Sequence, residues 1–276
     1  MKKHKMIFSG CSMTYGAESM DTGVQISKDN FNNSYPLLLS KKLKNIEVIN
    51  LAQCGISNST IFCHTINYLF ENIDNKENLI FVIQWSWPER WPTFEKPKSN
   101  PGSKSIKDSY WVDEANHNLE GWGDDNELAY GVCENLTYCY IVGLMKLLDS
   151  MNIKHIQYMA TRLKGHVPRS WEKIPGIKPR TTSPIFLQYG RVDPITEDYI
   201  KSAHVNYDLN TLQDTILNHE SFVMDNWAVY MMENSSIERQ KLLAHPDAAA
   251  HQVWANELLK ILLNKQILTD EFEWFK

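Results

Sequence analysis

The sequence predicts an α/β protein built on a parallel sheet covered by helices on both sides. Two observations carry this. Short apolar runs alternate with helical patterns along the chain, strand then helix, which is the signature of parallel strands joined by crossover helices. One of those runs, 79–84 (LIFVIQ), is continuously apolar up to its last residue, as expected for a strand buried on both faces.

The elements follow in order. Residues 5–9 are short and apolar and end at Gly10, which reads as a first strand. Residues 35–43 (YPLLLSKKL) read as a helix with Pro36 in its first turn, where the missing N–H costs nothing. Residues 46–51 (IEVINL) are rich in β-branched side chains and read as a second strand. Ser57 or Asn58 can cap a helix running to about Asn72, with Ile61, Thr65, Tyr68 and Leu69 on one face. The third strand is 79–84, a strong amphipathic helix spans 136–151, and a fourth strand spans 153–160. Residues 246–263 read as a closing helix, with Pro246 at its first position and Asp247 in the first turn.

Two stretches interrupt the alternation. Residues 85–130 carry Trp85, Trp87, Trp91, Phe94, Tyr110, Trp111 and Trp122 among Pro, Lys, Ser and Gly. Residues 162–241 are long and mixed, with five prolines in their first half. Both read as insertions on one core, because the closing helix comes after them. The chain of 276 residues is therefore expected to form a single domain, of a size that supports a substantial core.

Composition excludes several classes. The net charge of −5 leaves no basic footprint for nucleic acid. No apolar run reaches the ~18 residues of a membrane span, and the apolar stretch after the basic N-terminus falls short of the ~7–15 of a signal peptide. The five cysteines form no CxxC pair. Neither a disulfide framework nor a zinc site of usual spacing is expected, and the expected compartment is reducing, hence cytoplasmic.

In open α/β sheets, ligands bind beyond the carboxyl ends of the strands. Those ends carry Ser12 after strand one, Gly55 and Asn58 after strand two, and Ser86 after strand three, with His245 just before the last helix. Ser12 follows Gly10-Cys11 at a strand-to-loop junction and reads either as a nucleophile or as a turn residue. Cys11 is the rival nucleophile, although a small buried thiol fits it better. His245 suits a neutral general base near a helix N-terminus, or a surface histidine. His251, inside the helix, reads as a packing or hydrogen-bonding residue. Gly55 suits close backbone approach or a tight turn. Asn58 reads as a cap or as an amide facing the crevice, capping being the better fit.

Taken together, these segments resemble the SGNH hydrolases, also called the GDSL lipase/esterase family. Phe8-Ser9-Gly10-Cys11-Ser12 stands where the family has Gly-Asp-Ser, with Cys11 for the Asp. Asn50 to Asn58, with Gly55 between, looks like the second block. His245-Pro246, His251 and Trp254-Ala255 match the last. The third block departs from the family's Gly-x-Asn-Asp: Trp85-Ser86-Trp87-Pro88-Glu89-Arg90 puts Ser86 where the Asn should be. It looks like a branch found among bacterial and phage proteins, so a phage-encoded chain is one expectation. The family's acid, three residues before the histidine, is here Leu242. Glu238 and Asp247 lie nearby but out of pattern, leaving a Ser–His dyad or an acid from elsewhere.

The resemblance implies a three-layer α/β/α sandwich, flavodoxin-like, with about five parallel strands. It implies a serine esterase in which Ser12 attacks, His245 takes the proton, and Ser12 and Gly55 N–H groups hold the oxyanion, with Ser86 or Asn58 as a third donor. No metal or organic cofactor is expected. The Trp-rich stretch either suits a sugar, suggesting a small acyl group such as O-acetyl on a glycan, or merely covers the sheet edge, and Arg90 is placed to bind an anionic part of the substrate or to form a structural ion pair. The competing expectation, favoured by Leu242 and Ser86, is an inactive glycan- or protein-binding module. Oligomeric state is left open.

Overall fold

A computed structural model of the chain describes residues 4–20, 26–88, 126–161, 163, 209–237 and 245–268. Five parallel strands form one sheet: β1 (His4–Ser9), β2 (Ile46–Asn50), β3 (Leu79–Trp85), β4 (Lys154–Met159) and β5 (Phe222–Met224). Their order is β2-β1-β3-β4-β5, the flavodoxin-like arrangement, whose direction of winding reverses between β1 and β3. Ile7 pairs with Ile49 on one side and with Phe81 on the other, so β1 and β3 form the centre. Every residue of β3 is buried, as its apolar run predicts.

The helices are α1 (Ser12–Tyr15), α2 (Lys28–Asn32), α3 (Tyr35–Ser40), α4 (Asn58–Glu71), α5 (Asn126–Ser150), α6 (Leu209–Leu217), α7 (Trp227–Glu233) and α8 (Ala248–Asn264). On one side α8 packs against α3 and α7, and on the other α5 packs against α4 and α6. The result is three layers. The helix expected from Ser57 or Asn58 is α4. Ser57 is its cap, accepting from Thr60 N–H at 3.4 Å, and Ile61, Thr65 and Leu69 are its buried stripe.

Three features differ from the sequence reading. The fifth strand, β5, comes from within 162–241 and pairs with β4 through an irregular register. The helix at 35–43 ends at Ser40. The closing helix begins at Ala248, because Asp247 takes the cap position itself and accepts from Ala250 N–H at 3.1 Å. Pro246 and His245 therefore lie ahead of the helix, and the capping carboxylate is committed to the backbone.

An aromatic cluster fastens α8 to the sheet. Trp254 lies 5.2 Å from Tyr158 of β4 and 5.8 Å from Trp227 of α7, ring centre to ring centre, both edge-on, an arrangement worth about 0.5–1.5 kcal/mol per pair beyond burial. His251 stacks on Tyr35 and its Nδ1 accepts the Tyr35 N–H at 3.3 Å, so it is the hydrogen-bonding histidine its position suggests. Burial, reinforced by the charge of nearby His245, pushes the pKa of His251 down to about 3.

The unfolded chain protonates this group near pH 6.5 while the folded protein does not. Its contribution to stability is thus complete above pH 6.5 and is lost progressively as pH falls toward 3, by about 1.4 kcal/mol per pH unit. Replacing His251 by Gln, which keeps an acceptor but cannot titrate, is expected to flatten the dependence of unfolding free energy on pH across that window. Equal slopes for the two proteins in urea titrations at pH 6.5, 5.5 and 4.5 would refute this.

Candidate active site

The switch point between β1 and β3 sets the site. Three residues past β1, Ser12 opens α1, a single turn that starts from Cys11 and ends at Gly16 in the left-handed conformation, φ +88°. Gly10 is required where it stands: a Cβ there would lie 2.3 Å from Thr14 Oγ1. Asn50, at the end of β2, donates from its amide to Thr14 O at 3.2 Å and so ties the neighbouring strand to the same turn. Cys11 is fully buried, its thiol donating to Gln84 Oε1 at 3.1 Å, which matches a packing role.

His245 comes to this turn from the far end of the chain. Its Nε2 lies 2.8 Å from Ser12 Oγ. Its Nδ1 lies 2.9 Å from Glu18 Oε2, and its backbone N–H donates to the same oxygen at 3.2 Å. Since the Glu18 carboxylate only accepts, Nδ1 carries the hydrogen and Nε2 is left as the acceptor for the Ser12 hydroxyl. The three side chains form the Ser–His–acid relation in which an orienting acid fixes the tautomer of the base.

Glu18 is six residues after Ser12 and adopts a left-handed backbone, φ +56°. For a residue other than Gly this costs on the order of 1–2 kcal/mol, and such strain collects at functional sites. The conformation is held from both sides. Ser19 N–H donates to Gly16 O at 3.1 Å, and Ser19 O accepts the Ala248 N–H at 2.9 Å, which brings the start of α8 beside Glu18. The Glu18 side chain is only 12 % exposed, and little water competes for its carboxylate.

Of the other residues singled out by sequence, Gly55 has φ +81° and therefore a backbone that favours glycine. Ser86 follows β3 directly and is fully buried, with no partner for its Oγ among the described residues. Asn58 is neither the cap nor a free amide. Its Oδ1 accepts Ser86 N–H at 2.7 Å, and its Nδ2 reaches Ser86 O at 3.2 Å, Trp87 O at 3.3 Å and Thr137 Oγ1 at 3.1 Å. An amide engaged on both atoms has no hydrogen to spare for an oxyanion, and Asn58 is a strut for the loop after β3. Asn58→Leu keeps the volume but strands the buried Ser86 N–H, and is expected to cost roughly 3 kcal/mol. A change in urea unfolding below ~0.5 kcal/mol would show that the loop is held by other contacts.

Glu238, Leu242 and Arg90 lie outside the described residues. Asp247 is the helix cap, and its second oxygen accepts Ser236 N–H at 2.8 Å. Glu18 is the residue that the sequence reading did not single out. The available signal was that it is the only carboxylate in the first twenty residues.

No family model matches the chain, and no curated protein matches it. Solved structures do resemble it. A structure described as a lipolytic protein of the G-D-S-L family from Desulfitobacterium hafniense is 12% identical, with a TM-score of 0.45 over 94% of this chain and 99% of that one. An alpha/beta hydrolase from the metagenome of Lake Arreo is 13% identical, with a TM-score of 0.38 over 97% of each chain. A lipase/acylhydrolase from Enterococcus faecalis is 9% identical, with a TM-score of 0.34 over 96% and 97%. At these values the likeness carries no functional argument, and the function is read from the site itself.

Proposed function

We propose that the protein is a serine esterase acting through an acyl-enzyme. The observation that carries this reading is His245 standing between Ser12 Oγ at 2.8 Å and Glu18 Oε2 at 2.9 Å, within the reach a general base needs.

In the proposed reaction, Ser12 Oγ attacks the ester carbonyl as His245 Nε2 takes its proton. The imidazolium so formed is stabilised by Glu18. The negative charge on the former carbonyl oxygen falls to the N–H groups of Ser12 and Gly55, with the Ser86 hydroxyl, which has no partner among the described residues, as a third donor. The tetrahedral species collapses as His245 returns the proton to the leaving alcohol. Water then repeats the sequence on the acyl-Ser12 ester, releasing the acid. The reaction as drawn uses no metal or organic cofactor.

The substrate we favour is a small acyl ester, such as O-acetyl, carried on a glycan. What supports this is the sequence run of aromatic residues among polar ones in 85–130; it begins at Trp85, the last residue of β3, while Trp91, Phe94, Tyr110, Trp111 and Trp122 lie outside the described residues. Aromatic faces with interspersed polar groups suit sugars. The reading as an inactive binding module drew on Leu242, and it loses that support when Glu18 stands beside His245.

The test is a panel of p-nitrophenyl acetate, butyrate and octanoate together with acetylated oligosaccharides, followed by labelling with a fluorophosphonate. Acetate release and a label on Ser12 are expected. No turnover of any ester, with no label on Ser12, would return the binding module as the better reading.

A further inference from the structure

Gln84 ends the otherwise apolar run of β3 and is fully buried. A primary amide in such a place is costly unless both its atoms are satisfied. Its Oε1 accepts three hydrogens, all from the nucleophile turn: Cys11 N–H, the Cys11 thiol and the Thr14 hydroxyl, each at 3.1 Å. Its Nε2 donates to Trp85 O at 2.5 Å. The orientation of the amide is fixed, because its NH₂ group turned toward Cys11 N–H would set donor against donor.

The Thr14 bond extends further. Thr14 gives its one hydroxyl hydrogen to Gln84 and so accepts from Tyr35 O–H at 2.9 Å. Tyr35 has then used its own hydrogen, so Tyr158 must donate to Tyr35 across their 2.5 Å contact. Burial raises the pKa of both phenols, which keeps the hydrogens in place. A one-way chain runs Tyr158 to Tyr35 to Thr14 to Gln84, drawing on β4, α3 and α1 and ending at an oxygen of β3. Ser12 lies between the two anchored positions, Cys11 and Thr14.

We propose that Gln84 is the positioning residue of the nucleophile turn: its carbonyl oxygen holds Cys11 N–H and Thr14 O–H so that Ser12 presents its Oγ to His245 and its N–H to the oxyanion. This rests on the esterase reading. Gln84 does not touch the substrate; it acts through the turn.

The experiment compares wild type, Gln84→Leu and Thr14→Val. Leucine cannot accept a hydrogen bond, and valine removes the hydroxyl while leaving the Cys11 N–H bond in place. Three readouts are taken on p-nitrophenyl acetate: kcat, KM and the second-order rate of fluorophosphonate labelling of Ser12. Thermal midpoints identify the variants that fold. In folded Gln84→Leu, kcat and labelling are expected to fall by about 10²-fold, the scale of a misplacement near 1 Å, with KM within about twofold. Thr14→Val is expected to lose about tenfold, a lesser share of that misplacement, because one anchor remains. Loss of stability alone would not slow the labelling of folded molecules. A folded Gln84→Leu labelled at the wild-type rate overturns this inference alone. Should Gln84→Leu not fold, an unchanged labelling rate in Thr14→Val overturns it instead. A wild type that is neither active nor labelled overturns the esterase reading and this inference with it.

Discussion

Ser12→Ala is expected to lower kcat for a simple aryl ester by about 10⁶-fold, the loss seen when the nucleophile of a serine hydrolase is removed, and to leave the fold intact. The size of the effect follows from the neighbours. The Cys11 thiol is buried and committed to Gln84. The Thr14 hydroxyl donates to the same oxygen, and Ser9 Oγ lies between Ile61 O and Thr65 Oγ1. Among the described residues, none of these three groups is placed to substitute at His245 Nε2. Stability should change little, because α1 is held by backbone bonds from Thr14 N–H, Tyr15 N–H and Gly16 N–H that alanine retains. Turnover undiminished in Ser12→Ala would move the nucleophile elsewhere and remove the basis of the mechanism.

The second large effect concerns Glu18. Glu18→Gln keeps the shape but presents a neutral group to His245 Nδ1, one that can donate as well as accept. The imidazole is then free to take the wrong tautomer, and the imidazolium formed during attack loses its counter-charge. A fall in kcat of about 10⁴-fold is expected, as when the acid of a serine-protease triad is neutralised. Asp247→Asn is the informative contrast, since asparagine caps a helix as well as aspartate does, and activity should stay near wild type. Glu238→Gln should also be silent. Leu242→Asp, which would be expected to accelerate a protein working with a bare Ser–His pair, should bring no gain where Glu18 already serves. Steady-state kinetics on one aryl ester for these four variants distinguish Glu18 from Asp247 and Glu238. A mild effect in Glu18→Gln with a large one in Asp247→Asn would reverse the assignment.

How far the chain could be read in advance follows from where the information sits. The centre of the sheet was legible because β3 is buried on both faces and its composition says so. β5 was not, since a three-residue strand of partly buried side chains, Phe222–Met224, has neither length nor alternation to mark it. Ser12, Gly55 and His245 stand at strand ends and at a proline-marked helix entry, and local sequence rules reach such places. Glu18 sits in an irregular segment, on a left-handed backbone that a glutamate rarely adopts, and the backbone bonds of Ser19 to Gly16 and to distant Ala248 hold it there. The sequence allows either Ser57 or Asn58 as the cap of α4; Ser57 takes that role, and Asn58 braces the loop after β3.

The pairing of Ser12 with His245 across 233 residues bears on how the protein is made. On the proposed mechanism, nucleophile and acid are neighbours in sequence, Ser12 and Glu18, and leave the ribosome together. The base follows 227 residues after the acid, which at ~5–20 residues per second means roughly 10–50 s later. During that interval a nascent chain holds a serine and a glutamate with no histidine between them. On the proposed mechanism, ester cleavage therefore waits until the segment leading into α8 docks against Ser19 through the Ala248 N–H.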